Sequence, residues 1–203
     1  MKRAVVVCAV IMLASCTGKV DYAPPVSQDA ENSKTISKPK DAVWAELIPA
    51  LSKNFFVVNT IDKSSGLINI SYSGDPEKYI DCGRVHSYVT NLRGERNYDF
   101  NGAAAHADYE VMNNGVLLQI DRTVDLDGRM NIVVEEQGPK QSLITVNTRY
   151  ILTLHATARD VNGRVGILNP ETITFNTGGS GRGQKITCVP NGEFERSVLA
   201  LVN

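Results

Sequence analysis

Four cysteines (Cys8, Cys16, Cys82, Cys188) and three histidines (His86, His106, His155) are the side chains best suited to nucleophilic, redox or metal chemistry. Their spacing mostly excludes. No two cysteines stand as CxxC, and no cluster of cysteine and histidine ligands at zinc-site spacing occurs, so no local redox pair or zinc site is spelled. The histidines make no HxH, HExxH or HxxxH pattern. His86 and His155 fall in strand-like alternation, as surface or cross-strand partners, and His106 sits in a short helix or loop, GAAAHAD. Glu135 and Glu136 are adjacent, so in a strand they face opposite sides and cannot work as a carboxylate pair. The run GGSGRG at 178–183 lacks the Gly-Lys-Ser/Thr ending of a phosphate-binding loop and reads as a flexible loop. No GxSxG elbow is present, although a Ser-His-Asp triad can be assembled from distant positions. The expectation is a non-enzyme with no metal and no cofactor.

The chain has 203 residues, 42% of them hydrophobic, with 21 basic and 22 acidic side chains. That supports one core-forming domain and argues against a nucleic-acid partner, which needs clustered positive charge. The N-terminus reads MKRAVVVCAVIMLASC. Lys2 and Arg3 precede an apolar run of 11 residues, Ala4 to Ala14. As a helix the run reaches roughly 16 Å, about half the hydrocarbon core, so it has signal-peptide rather than spanning length. Leu13-Ala14-Ser15-Cys16 resembles the lipobox of bacterial lipoproteins. The resemblance implies that Cys16 carries a diacylglyceryl thioether, that the chain is cut before Cys16, and that the new amino group is acylated. It also implies sorting to the outer membrane, since Thr17 rather than Asp follows the cysteine. Two or three acyl chains, at about 0.8 kcal/mol per buried CH₂, anchor a protein without a spanning helix. Removing Lys2 and Arg3 leaves 19 basic against 22 acidic residues, a net of −3, so the membrane contact is expected through the lipid and not the protein surface.

Three regions follow. Residues 1–15 are a signal peptide, 16–40 a lipidated cysteine with a flexible Pro/Ser/Lys-rich tether, and 41–203 a single periplasmic domain. With Cys8 in the signal and Cys16 acylated, Cys82 and Cys188 remain, and in an oxidising periplasm they most simply form one disulfide. A metal or redox site is the competing reading. Closing a loop of this size stabilises by roughly 4–5 kcal/mol in the chain-entropy account.

The domain opens with a helix from Asp41. Trp44, Leu47, Ile48 and Leu51 fall on one face, and Pro49 should kink or shorten it. FFVVNTI (55–61) and LINISYS (67–73) read as a hairpin around DKSSG, with Ile68, Ile70 and Tyr72 on one face. Val116, Leu118, Ile120, Val124 and Leu126 alternate, with Arg122 the exception. Asp127-Gly128 spells a tight turn, and Met130, Ile132 and Val134 continue beyond it. After a second turn at 137–140, a long alternating run reaches His155, long enough that a bend or bulge is expected. Thr172 to Asn176 adds a short strand, and Asn191 caps a last helix with a Phe194, Val198, Leu201 stripe. The fold expected is α+β, an antiparallel sheet with one face covered by the N- and C-terminal helices. The polar segment 74–83, with Asp75 and Tyr79, reads either as a rigid binding loop or as a plain connection.

The stretch Val43 to Tyr72, with its Trp-bearing helix, strand and Ser65-Gly66-Leu67-Ile68 hairpin exit, resembles the helix-grip domain of the outer-membrane assembly lipoprotein C. The remainder is similar to uncharacterised proteobacterial lipoproteins. The resemblance implies a helix-grip architecture and carries over no functional residue. The function expected is that of a non-catalytic outer-membrane lipoprotein facing the periplasm, an accessory or scaffold with envelope protein partners. A carrier of a lipid or other apolar ligand is the alternative, and a hydrolase stands third. Cys16→Ala should abolish radioactive palmitate labelling in growing bacteria; a variant that labels like the parent rules out the anchor.

Overall fold

A computed structural model describes residues 17–26, 31–54 and 56–202. The expected signal peptide 1–15 and the expected acylation site Cys16 lie outside the described residues. Within the segment expected to be a tether, two stretches are strands. β1 (Thr17–Ala23) pairs antiparallel with residues 84–90, and β2 (Ser33–Ile36) with residues 142–145. The expectation of a flexible tether over 16–40 is corrected there, because both stretches place their backbone polar groups in sheet ladders. Tyr22 adds a lock: its hydroxyl reaches the carbonyls of Cys82 at 3.1 Å and Thr187 at 3.0 Å, and accepts from the Thr187 amide at 2.8 Å.

α1 (Lys40–Lys53) buries Val43, Trp44, Leu47 and Leu51, continues past Pro49, and carries Asp41 in its first turn with Pro39 at the cap. β3 (Val57–Asp62) and β4 (Leu67–Gly74) form the expected hairpin. The Asp62 carboxylate accepts from the hydroxyls of Ser64 (2.6 Å) and Ser65 (2.7 Å), bonds that hold its pKa down at about 2 and fix the turn. β5 (Ile80–Asp81), β6 (Arg84–Asn91), β7 (Gly94–Asn101) and β8 (His106–Asn113) follow. His106 therefore opens a strand rather than a short helix.

β9 (Val116–Gly138) and β10 (Gln141–Asp160), of 23 and 20 residues, are the spine of the molecule. They pair antiparallel along nearly their whole length. β8 and then β4 line the outer edge of β9, with β3 beyond β4. β2, β12 (Glu171–Asn176) and β11 (Val165–Ile167) line the outer edge of β10. β1, β6 and β7 form a second sheet, and β13 (Gly181–Arg182), β14 (Thr187–Pro190) and β5 a third. α2 (Glu193–Leu199) closes the chain with only seven residues, and the Asn191 carboxamide accepts from the Glu193 amide at 2.9 Å.

The α+β helix-grip expectation is overturned. Strands make up 60% of the described residues and helices 13%, in several antiparallel sheets with two short helices. Segments too polar to read as core-facing, above all 84–113, are strands as well.

The Asp127-Gly128 turn is also corrected, since β9 runs straight through it. A two-residue hairpin there needs positive φ, and Gly128 is not among the glycines that adopt it. The glycine serves a packing need. It stands opposite Tyr72 on β4 and Tyr150 on β10, and a Cβ built on it would lie 3.1 Å from the Phe194 ring. Phe194 stacks on Tyr79 with centroids 3.6 Å apart and meets Tyr72 edge-on at 4.9 Å. Burial, with Tyr79 alongside, pushes the Tyr72 hydroxyl up to about 12.

Period 2 then sorts every side chain of the spine. Ile120, Val124, Leu126, Met130, Ile132 and Val134 of β9 are buried, as are Ile144, Val146, Tyr150 and Leu152 of β10. Cys82 and Cys188 are paired, their sulfurs 2.01 Å apart, tying β14 to the β5–β6 connection. Glu195, fully buried on α2, accepts from the Tyr150 hydroxyl (2.9 Å) and from Thr177 Oγ1 (2.7 Å). Burial first, and the Glu195 charge second, raise the Tyr150 pKa. Arg122 points inward between the first and second sheets, 5.2 Å from the Phe100 centroid, and burial lowers its pKa. Gly128→Val should destabilise the protein by about 1–3 kcal/mol through overpacking against Phe194; an unchanged denaturation midpoint would refute the packing role of this glycine.

Candidate functional site

The alternation that fills the core leaves the opposite face of the main sheet open, and its residues are strongly polar. Asn69 on β4, Asn131 on β9 and Asn147 on β10 share one row across three strands. Asn69 Nδ2 donates to Asn131 Oδ1 at 2.7 Å. The register of β3 shifts around Asn59, as at a bulge, which re-aims that side chain so that its Nδ2 donates to Asn69 Oδ1 at 2.9 Å. At the other end Asn32 Nδ2 donates to Asn147 Oδ1 at 3.2 Å. Five carboxamides thus lie across the sheet; Asn69 spends both Nδ2 hydrogens on Met130 O and Asn131 Oδ1, while Asn131 and Asn147 keep their amide donors for a ligand.

Beside this row Arg129 and Arg149 stand directly opposite each other on β9 and β10, both exposed. Like charges in that relation are destabilising. Among the described residues neither arginine has a carboxylate within ion-pair distance. Asp127, two residues along β9 on the same face, is the nearest acid in sequence. A surface cleft of about 510 Å³ is lined by Asn69, Arg129, Asn131, Asn147, Arg149 and Asn176. A second, of about 420 Å³, shares Asn69 and Arg129 and adds Asp127. Two guanidinium forks over a bed of carboxamides form an anion-binding arrangement, since each fork matches a carboxylate bidentately.

The same face carries a second like-charge rung, Asp108 opposite Asp121. Here the protein supplies the counter-group. His106 Nε2 lies 3.2 Å from Asp121 Oδ1 and 3.7 Å from Asp108 Oδ2. These three exposed groups could also offer ligand atoms to a divalent cation. The contrast singles out the arginine rung, which has no ion-pair partner among the described residues.

The other sequence-derived candidates are placed plainly. Asp75 is exposed and caps a 3₁₀ turn, its Oδ1 accepting from the Glu77 amide at 3.1 Å. Tyr79 is 4% exposed and belongs to the aromatic core, so it is corrected from a binding residue to a packing one. His86 is exposed on β6, and His155 Nε2 lies 4.0 Å from Asp125. Among the described residues no Ser, Thr or Cys side chain hydrogen-bonds a histidine, so no nucleophile–base pair is assembled. Sequence reasoning missed Arg129, Arg149 and the asparagine row. Their signal was present as an asparagine between larger side chains in three segments, Ile-Asn-Ile, Met-Asn-Ile and Val-Asn-Thr, with an arginine two residues away in the last two.

No family model, no curated protein and no solved structure matches this chain. Among the described residues no helix is long and apolar enough to cross a membrane. Replacing both arginines by alanine should leave stability unchanged or raise it by roughly 0.2–1 kcal/mol, because a repulsive rung is removed; a loss of more than about 1 kcal/mol would mark them as structural instead.

Proposed function

We propose that this protein is a non-catalytic lipoprotein, held by acylated Cys16 on the periplasmic side of the outer membrane. It acts as an accessory or scaffold module that docks an acidic segment of an envelope protein on the open polar face of its main sheet. The observation that carries the docking part is the Arg129–Arg149 rung, two opposed cations without an internal partner among the described residues. The lipobox Leu13 to Cys16 supports the anchoring and the outer-membrane address.

Several features favour binding over catalysis. Arginine stays protonated at any physiological pH and serves poorly as a general base. The asparagines do not titrate, and His155 lies along β10 roughly 20 Å from the arginine row. The paired cysteines and the buried Glu195 network hold the face on a rigid support, which suits recognition by preorganised groups. The carrier reading has less behind it, since α1 fills its contact with the sheet using Val43, Leu47 and Leu51, each fully buried.

The test is a photo-crosslinking amino acid at position 131 in intact cells. A discrete protein adduct should form, and Arg129→Glu with Arg149→Glu should remove it while leaving the protein in the membrane fraction. An adduct that persists through charge reversal overturns docking at this face.

A further inference from the structure

Three hairpin turns and the start of β1 gather at one end of the molecule. β8 turns into β9 through Asn113–Val116, and β10 turns into β11 just beyond Asp160, which stands opposite Leu118 on β9. The second sheet is aligned with them. Ser87 of β6 bonds Glu110 of β8 at 2.6 Å, so the β6–β7 turn at Leu92 points the same way as the end of β8. Gly18 of β1 packs so closely on Met112 that a built Cβ would lie 2.6 Å from its Cγ, and Thr17 stands opposite Thr90.

Large apolar side chains stand exposed among the polar turn residues of this end. Leu92 is 88% exposed, Val161 71%, Val165 52% and Val116 43%, and Ile167 continues the patch along the edge strand β11 at 84%. Large side chains exposed together at turn tips mark a contact surface. Arg93 and Arg159 are exposed among them, and Arg164 pairs with Asp160 at 2.7 Å. The chain outside the described residues decides the occupant. Cys16 immediately precedes Thr17, and it is preceded by the apolar run Ala4 to Ala14. No tether separates the anchor position from the domain.

We propose that this end is a membrane-docking surface. Leu92, Val116, Val161 and Val165 seat in the interfacial layer of the bilayer beside the acyl chains, with Arg93 and Arg159 among anionic headgroups. The inference rests on the lipid anchor proposed above and adds to it: the protein surface, and not the lipid alone, meets the membrane. Membrane contact here sets the orientation, directing the long axis of β9 and β10 away from the bilayer. The Asn131 row then stands roughly 50 Å from the docking end along β9.

The experiment uses the full chain isolated from bacterial membranes, in vesicles of phosphatidylethanolamine and phosphatidylglycerol with brominated acyl chains. Leu92→Trp and Asn59→Trp are compared, with the buried native Trp44 as a common background. Interfacial apolar groups sit about 5–10 Å into the headgroup–acyl boundary, so the tryptophan at position 92 should be quenched roughly threefold more than that at 59. Equal quenching at the two positions, or none at 92 while the chain stays vesicle-bound, overturns the docking surface. A Cys16 peptide without acyl mass overturns the anchor reading separately, and quenching at 92 without that mass supports the surface on its own.

Discussion

The antiparallel pairing of β9 with β10 is the constraint on which the rest depends. Across this one interface the register decides which side chains enter the core, because successive residues of a strand point to opposite faces. A slip by one residue would exchange Met130, Ile132 and Val146 for Arg129, Asn131 and Asn147. The shorter strands take their places from it: β4 and β8 share the outer edge of β9 end to end, and β2, β12 and β11 divide that of β10. Gly128 marks where the ribbon yields to its packing, with Tyr72 and Tyr150 on either side and Phe194 above.

Around that spine the stabilising contacts are few and specific. The sulfur pair brings together chain positions 106 residues apart. The buried Glu195 carboxylate is tolerable because Tyr150 and Thr177 donate to it, and it lies in the first turn of α2, where the helix dipole favours negative charge. Arg122 keeps its charge between two sheets by lying over Phe100. These contacts serve packing and order. The polar face has the opposite character, since two of its rungs place like charges together and only the Asp108–Asp121 rung has its counter-group, His106, within the fold. The proposed functions divide accordingly between the open face and the apolar end, separated along the same two strands.

Local elements were legible where a periodic apolar pattern met an appropriate boundary. α1, the β3–β4 hairpin with its Asp62 turn and the 137–140 turn follow from short-range rules; the expected Asn191 cap is displaced by one residue, to Gly192, although Asn191 still accepts from the Glu193 amide. Asp127-Gly128 was misread because a dipeptide favourable to turns carries no information about the ring that packs on it. Residues 84–113 were opaque for a related reason: His86, Asn97 and Asp99 lie on wet outer strand faces and half-buried Arg96 pairs with Glu110 of β8, so no apolar run announces them. Tyr79 looked like a loop aromatic and is a core one, since its partner Phe194 lies far along the chain. β1 and β2 have tether composition, and it is pairing with distant strands that orders them.

The sequence alone determined what depends on neighbouring residues. It set the basic-then-apolar N-terminal pattern ending at Cys16, the two cysteines of the expected domain, and the period-2 alternation legible in β4, β9 and β10. Tertiary structure decided which residues stand opposite one another. The Arg129–Arg149 rung, the asparagine row and the gathering of Leu92, Val116 and Val161 beside Thr17 exist only once distant strands are placed side by side. Register between such strands is a property of the whole sheet, set jointly by every buried side chain, and no window of sequence contains it.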